Sequence, residues 1–203
     1  MTRAYSFYSI FRRRDGRARQ RSRVSGSING VLEETPEQRA REYAFGPHRI
    51  RRGVEVFFST RLTYAMVNVR PIVEHHVLVV PRRCVARFAD MTHEEVCDLW
   101  LSAQCIGARL EVYGQARGVT GLQFVLQDGS GSGQTVPHVH VHVVPRAPGD
   151  FEPNDLVYEA LERSPLRRLS PDAATQRNRS DEDMTVEREE LRRLFPEREH
   201  QVL

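Results

Sequence analysis

The chain has no lysine; all thirty of its basic Lys+Arg residues are arginine. That excludes a P-loop, which needs a lysine on the phosphates. It also excludes Schiff-base chemistry and ligation through a nucleotidyl-lysine. Cysteine is scarce: Cys84, Cys97 and Cys105, an odd number with no Cys-x-x-Cys pair. Neither a disulfide framework nor a cysteine zinc site is indicated, which fits a reducing compartment. Cys97 and Cys105 lie eight apart in a helical pattern and read as core filler. No run approaches the roughly 20 apolar residues that cross a bilayer. The first thirty residues lack the apolar stretch of about 7–15 residues that marks a secretory signal. There is no internal repeat.

What is present suits one globular domain of about 150 residues plus extensions: 203 residues, 39% hydrophobic and 28% charged. The net charge of +3 hides an asymmetry, because residues 1–30 carry +7 and the remainder carries −4. The basic character belongs to an arginine-rich arm. Such an arm reads as a solvated, disordered tail, as a mitochondrial transit peptide, or as a contact for RNA or anionic membrane. The expected location is cytoplasmic, with a mitochondrial one the alternative, and nucleic acid is not an expected partner of the folded part.

Thr35-Pro36-Glu37-Gln38 has the cap spacing of a helix start, and a short helix to about Tyr43 is expected, ended by Gly46-Pro47. Val54–Thr60, Leu62–Val69, His76–Val80, Leu122–Gln127 and His138–Val144 read as strands. Between the third and fourth, Thr92-x-x-Glu95 opens a long helix with an apolar stripe of Val96, Leu99, Trp100, Ala103, Ile106 and Leu110. Gly114 is its expected stop. Ser180 caps a C-terminal helix running to about Phe195, with acids in its first turn. The order predicts an α+β domain: an antiparallel sheet of about five strands with a long helix on one face and a C-terminal helix. The expected divisions are an extension over 1–43, a catalytic domain over 44–163, a linker over 164–179 and a helix with tail over 180–203.

The chemistry lies in Pro137-His138-Val139-His140-Val141-His142-Val143-Val144-Pro145. Strand alternation sends the valines to a core and the histidines to the other face, where they would line a surface or cleft. Three readings compete: a polar face without a role, a metal site, and nucleophilic catalysis on phosphorus. Same-face histidines are spaced about 7 Å apart, the outer pair about 13–14 Å, so at most two could share one ion. Imidazole is both a good nucleophile and a good leaving group near neutral pH. The loop Asp128-Gly-Ser-Gly-Ser-Gly133 can form an anion nest from consecutive N–H groups, with Gln134 and Thr135 as further donors.

With these residues in place, the chain resembles the histidine-triad family. The triad itself is joined by Phe45-Gly-Pro-His48, Ala65-Met-Val-Asn68, His76-Val-Leu-Val-Val-Pro81, Gln127-Asp-Gly129, Gly133-Gln-Thr-Val136 and the segment from Pro145 to Phe151. These are similar to the fragile-histidine-triad branch, the diadenosine triphosphatases, over about residues 44–163 and again over Ser180–Phe195. The resemblance implies a histidine-triad fold and hydrolysis of diadenosine triphosphate to AMP and ADP through a nucleotidyl-histidine.

The resemblance also implies roles. His140 would be the nucleophile and His142 would assist the leaving group. His138 would orient the strand, and His76 would sit beneath the triad. His48, Asn68, Gln127 and Gly133, Gln134, Thr135 and Val136 would bind substrate, with Asn68 on the ribose and Gln127 near the α-phosphate. Aliphatic strand residues would hold the base.

It implies a homodimer and no tightly bound cofactor, with Mg²⁺ or Mn²⁺ stimulating through the substrate. A nucleoside phosphoramidase of the related branch, which tends to carry Asn for Gln127 and Ser for Thr135, is the alternative, as is a slow nucleotide-binding signalling module. Bland readings stand beside these: a core histidine for His76 and turn residues for Asn68 and Gln127. His75 stands where the branch usually has glycine; like His93 and His200 it reads as solvent-facing. Tyr158 reads as a partly buried helix tyrosine or as the family's signalling tyrosine.

Overall fold

A computed structural model describes residues 42–163 and 178–196. Expectations for residues 1–41, and for nearly all of the 164–179 segment, lie outside that range, as does His200. The chain opens with a hairpin of β1 (Tyr43–Phe45) and β2 (His48–Ile50). Tyr43 therefore stands in a strand and not at a helix end. Gly46-Pro47 is the turn between the strands: Gly46 has φ +56°, and a Cβ there would come within 2.7 Å of Val136 Cγ1.

The five-stranded sheet follows: β3 (Val56–Ser59), β4 (Thr63–Val67), β5 (Val77–Pro81), β6 (Gly121–Leu126) and β7 (Val141–Arg146). All pairings are antiparallel, in the order β3-β4-β5-β7-β6. Three helices complete the fold: α1 (His93–Gly114), α2 (Leu156–Arg163) and α3 (Asp181–Arg192). The capping box of Thr92 with Glu95 is made in full, and Ser180 accepts from the Asp183 N–H.

Period-2 alternation sorts the sheet into two faces. One buries Ala65, Val67, Val77, Val79, Val141 and Val143 against Leu99, Ala103, Ile106 and Leu110 of α1 and Met184 and Leu191 of α3. Trp100 is not in that stripe; it is 39% exposed, one step round the helix from Leu99. Cys97 is likewise exposed, so it is not core filler. The other face carries Tyr64, Met66, Leu78 and Val80, covered by Phe45 and Ile50 of the hairpin. Val144, Val157 and Leu161 seat α2. Among the described residues no helix is long and apolar enough to cross a membrane.

Candidate active site

The triad straddles the start of β7. Only His142 lies within the strand; His138 and His140 precede it. The valines go to the core as alternation requires, since Val139, Val141 and Val143 are all in it. The histidines do not line an open surface, as all three are buried. Buried imidazoles require partners, and the partners explain the local bend.

His138 accepts the Gly46 N–H on Nδ1 at 3.1 Å and donates from Nε2 to the Pro81 carbonyl at 2.9 Å. It therefore pins the hairpin turn to the end of β5, a job that pulls it out of regular strand. Its own carbonyl accepts Nδ1–H of His140 at 2.8 Å. That bond takes the Nδ1 proton of His140 and leaves the lone pair on Nε2. Phe45 stands edge-on to the His140 ring, centroids 5.1 Å apart.

A second chain of bonds sets His142. The Ile72 N–H donates to Nδ1 of His76 at 3.2 Å, so the His76 proton is on Nε2. That proton is donated to Nδ1 of His142 at 2.9 Å. His142 then carries its proton on Nε2, a fully buried atom without a hydrogen-bond partner. These tautomers are assigned from the bonding network. The rings of His140 and His142 are 4.9 Å apart. A nucleophilic lone pair and an unspent proton are thus presented side by side.

Burial keeps all four rings neutral. It pushes His138 and His140 below the usual imidazole range and His142 well below it, with His140 and His76 adding to the last. His76 is driven to about 3, by burial first and His140 second.

The remaining expected residues fall into four groups. Asn68 is buried at the relay, with Nδ2 3.4 Å from the His76 ring nitrogens and Oδ1 accepting the Arg70 N–H. Leu78 and Val125 flank His142 in register, and Met66 follows Leu78. They form an aliphatic row beside the reacting groups. His48 is exposed on β2, its ring 6.5 Å from Phe45.

The glycine loop is braced from within. Gln134 accepts the Gly129 N–H at 2.7 Å and donates to the Ala86 carbonyl at 3.0 Å. Asp128 takes the Arg87 guanidinium and the Phe88 N–H. The N–H groups of Gly133 and Gln134 point to the carbonyls of Ser130 and Gly129. Those two amides are turned into the loop, and Gln134, expected as a donor to phosphate, shapes the loop with its side chain. Gly133 is favoured by its φ of +83°, and a Cβ there would also push on the movable end of the Gln127 side chain, 2.7 Å away. Thr135 is half-buried and Val136 is packed under the hairpin.

Sequence reasoning did not find the backbone groups of Gly46, Ile72 and Pro81 that fix the tautomers. The motifs Phe45-Gly-Pro-His48 and His76-Val-Leu-Val-Val-Pro81 contain Gly46 and Pro81; nothing in residue identity marks Ile72. Among the described residues, no three His, Cys, Asp or Glu side chains are grouped to hold a metal ion.

The family model described as HIT domain matches residues 53–149. Over 156 residues the chain is 48% identical to the bifunctional bis(5'-adenosyl)-triphosphatase/adenylylsulfatase FHIT of Arabidopsis thaliana, spanning 75% of this chain and 84% of that protein. It belongs to the HIT family. The bis(5'-adenosyl)-triphosphatase of Dictyostelium discoideum is 44% identical over 158 residues, 78% of this chain and 96% of that one. Among solved structures, Plasmodium falciparum diadenosine triphosphate hydrolase in complex with Cyclomarin A aligns with a TM-score of 0.57 at 26% identity, over 75% of this chain and 82% of that chain. The HIT fold seen in that match is the same sheet-and-helix frame that carries the histidines here.

Proposed function

We propose that this HIT protein hydrolyses dinucleoside polyphosphates, cleaving diadenosine triphosphate to AMP and ADP through a nucleotidyl intermediate on His140. The observation that carries the reading is the pair of opposed tautomers: a lone pair on His140 Nε2 and a proton on His142 Nε2, in rings 4.9 Å apart. Relatives named as triphosphatases, at 44–48% identity, support the substrate class.

His140 Nε2 attacks the α-phosphorus. The bond from phosphorus to the bridging oxygen breaks, and ADP departs as an anion while the His142 Nε2–H donates a hydrogen bond to the oxygen that takes up the charge. Water then attacks the phosphorus, and its proton passes to solvent as the electron pair of the phosphorus–nitrogen bond returns to His140 Nε2. The phosphorus–nitrogen bond breaks and AMP leaves. Neutrality matters at both steps, because a protonated His140 has no lone pair. Asn68 faces the ribose, the aliphatic row of Met66, Leu78 and Val125 holds the base, and Gln127 and Thr135 meet the phosphates. Mg²⁺ or Mn²⁺ enters with the polyphosphate, neutralising its charge without a tightly bound protein site.

The active form is a homodimer. β6 ends the sheet among the described residues; Phe124 on it is exposed, and so are Trp100 and Leu101 of α1. An unpaired edge next to exposed apolar side chains is a self-association surface. Light scattering on the purified protein gives the mass directly. The location is cytoplasmic, or mitochondrial if residues 1–43 act as a transit segment, which a reporter fused to that segment reads out.

The test compares wild type with His140→Asn on diadenosine triphosphate, with and without Mg²⁺, resolving products. AMP and ADP from wild type, lost by several orders of magnitude in the variant, support the reading. Adenosine phosphoramidate cleaved in preference to the triphosphate would overturn it in favour of the related branch. The Arabidopsis relative's name also carries adenylylsulfatase, so adenylyl sulfate belongs in the same substrate panel.

A further inference from the structure

One residue from the catalytic relay, the backbone does something costly. The turn Val73–His76 is closed by the His76 N–H on the Val73 carbonyl at 3.2 Å. His75 occupies its third position at φ +59°, the only non-glycine residue with positive φ among the described residues. That position favours glycine, because a Cβ crowds the backbone in the left-handed region.

The side chain that imposes this strain is buried. Its ring stands edge-on to Tyr113 near the end of α1, centroids 5.4 Å apart. His75 Nε2 lies 3.7 Å from Glu190 of α3 and 3.9 Å from Glu74. Glu190 in turn accepts the Tyr113 hydroxyl, and Arg117 stands 3.4 Å from Glu190 and 3.7 Å from Glu74. The turn is therefore held from two helices through a single imidazole. It adjoins the segment whose Ile72 N–H sets the tautomer of His76.

We propose that His75 is a positioning residue. By gripping α1 and α3 it holds the 72–76 segment so that His76 keeps its proton on Nε2 and His142 keeps its Nε2–H turned to the leaving group. Glycine would make the turn without strain but would reach nothing beyond it. The inference rests on the reading of His142 as hydrogen-bond donor to the leaving group.

The experiment uses the full chain and the variants His75→Ala, His75→Gly and Glu190→Gln, with two readouts. One is the ¹⁵N shifts of the His76 and His142 ring nitrogens without substrate. The other is kcat and KM on diadenosine triphosphate. His75→Ala keeps a Cβ in the disfavoured turn and loses the grip. Its kcat is expected to fall about tenfold with KM within about twofold, while the His142 nitrogens average toward two tautomers. His75→Gly relieves the strain but also loses the grip, so its kcat should fall too, by less than that of His75→Ala. Glu190→Gln should lie between them.

Unmoved ring-nitrogen shifts in all three variants, or a rise in KM with kcat unchanged, would overturn the inference. If His75→Ala fails to fold, the other two variants carry the same readouts. If the shifts move as expected while no form, wild type included, cleaves the triphosphate, the positioning role stands and the triphosphatase reading falls.

Discussion

The two faces of one sheet are built on different rules. Val139, Val141 and Val143 enter a core in which Leu99, Ile106 and Leu110 could each be exchanged for residues of similar volume at modest cost. His138, His140 and His142, interleaved with them, cannot be exchanged at all without rewriting a bonding account. Every one of their ring bonds has a named partner, and among the described residues the one fully buried imidazole nitrogen without a partner is His142 Nε2. The difference teaches where to look for chemistry. On the packed face the buried groups left over are the neutral hydroxyls of Thr63 and Ser102, whereas on the histidine face the leftover N–H stands beside the His140 ring.

The sharpest way to break that comparison is His142→Asn. The amide oxygen can still accept the His76 N–H, but the Nε2–H turned to the leaving group is lost. The kcat on diadenosine triphosphate should fall about 10²–10³-fold. On an AMP ester with a nitrophenol leaving group, which spreads its charge into the ring and departs with less help, the loss should be far smaller. Equal losses on both substrates would mean that His142 does not act on the leaving group.

The packed face should behave oppositely. Leu99 is fully buried in the first core. Leu99→Ala should cost about 2–5 kcal/mol of stability by cavity formation, while kcat measured well below the melting temperature stays at the wild-type level. Thermal melts and initial rates on the same sample check this. A fall in kcat at preserved fold would show that the two faces are not separable.

How much of this was readable in the sequence follows the same division. Alternation along Val139–Val143, the Thr92 box and the Ser180 cap are local signals, and each appears where its residues stand. The hairpin of β1 and β2 was not readable. Its three-residue strands are too short for a period, and what fixes them is Phe45 and Ile50 packing on the sheet's second face. His75 was misread as solvent-facing, because nothing local announces that Tyr113 and Glu190, 38 and 115 positions away, wait to receive it. The triad's membership was plain, but the regular strand expected over His138–Val144 begins only at Val141. His138 bends away to meet Gly46 and Pro81.

A pH titration sharpens the comparison with a smaller effect, at most about 1.4 kcal/mol per proton per pH unit. The four histidines are all lowered in the folded state, His76 to about 3. The unfolded chain, with ordinary imidazoles near 6.5, then binds more protons than the folded one between those values. The stability they contribute is fully present above about 6.5 and is lost as pH falls toward the folded values. The melting temperature should decline from about pH 6.5 downward, and Leu99→Ala should shift the whole curve without changing that slope. The kcat should show no drop at 6.5, since His140 stays neutral below it. A kcat that titrates with an ordinary imidazole pKa would contradict the buried, neutral site.

The smallest effect lies farthest from the histidines and tests whether the packed side is as local as it looks. Thr92 accepts the Glu95 N–H at 3.2 Å, and Glu95 accepts the Thr92 N–H at 2.8 Å while holding Arg83 through both oxygens. Arg83 is the larger influence on Glu95, whose carboxyl is held down to about 2. Thr92→Ala removes one of the two reciprocal bonds, leaves the Arg83 pair in place, and should cost about 1 kcal/mol. Glu95 has the opposite ionisation chemistry to the histidines yet the same sign of linkage: its folded pKa is depressed, so its contribution is present above about 4.5 and fades toward 2. Stability losses from the two sources thus separate by pH, the histidines first and Glu95 later. A Thr92→Ala variant whose melt differs from wild type equally at pH 7 and pH 5, with kcat unchanged, would place the cap wholly on the packing side of the molecule. A change in kcat would instead mean that the start of α1, through Arg83 beside Pro81 and the His138 contact, reaches the active site.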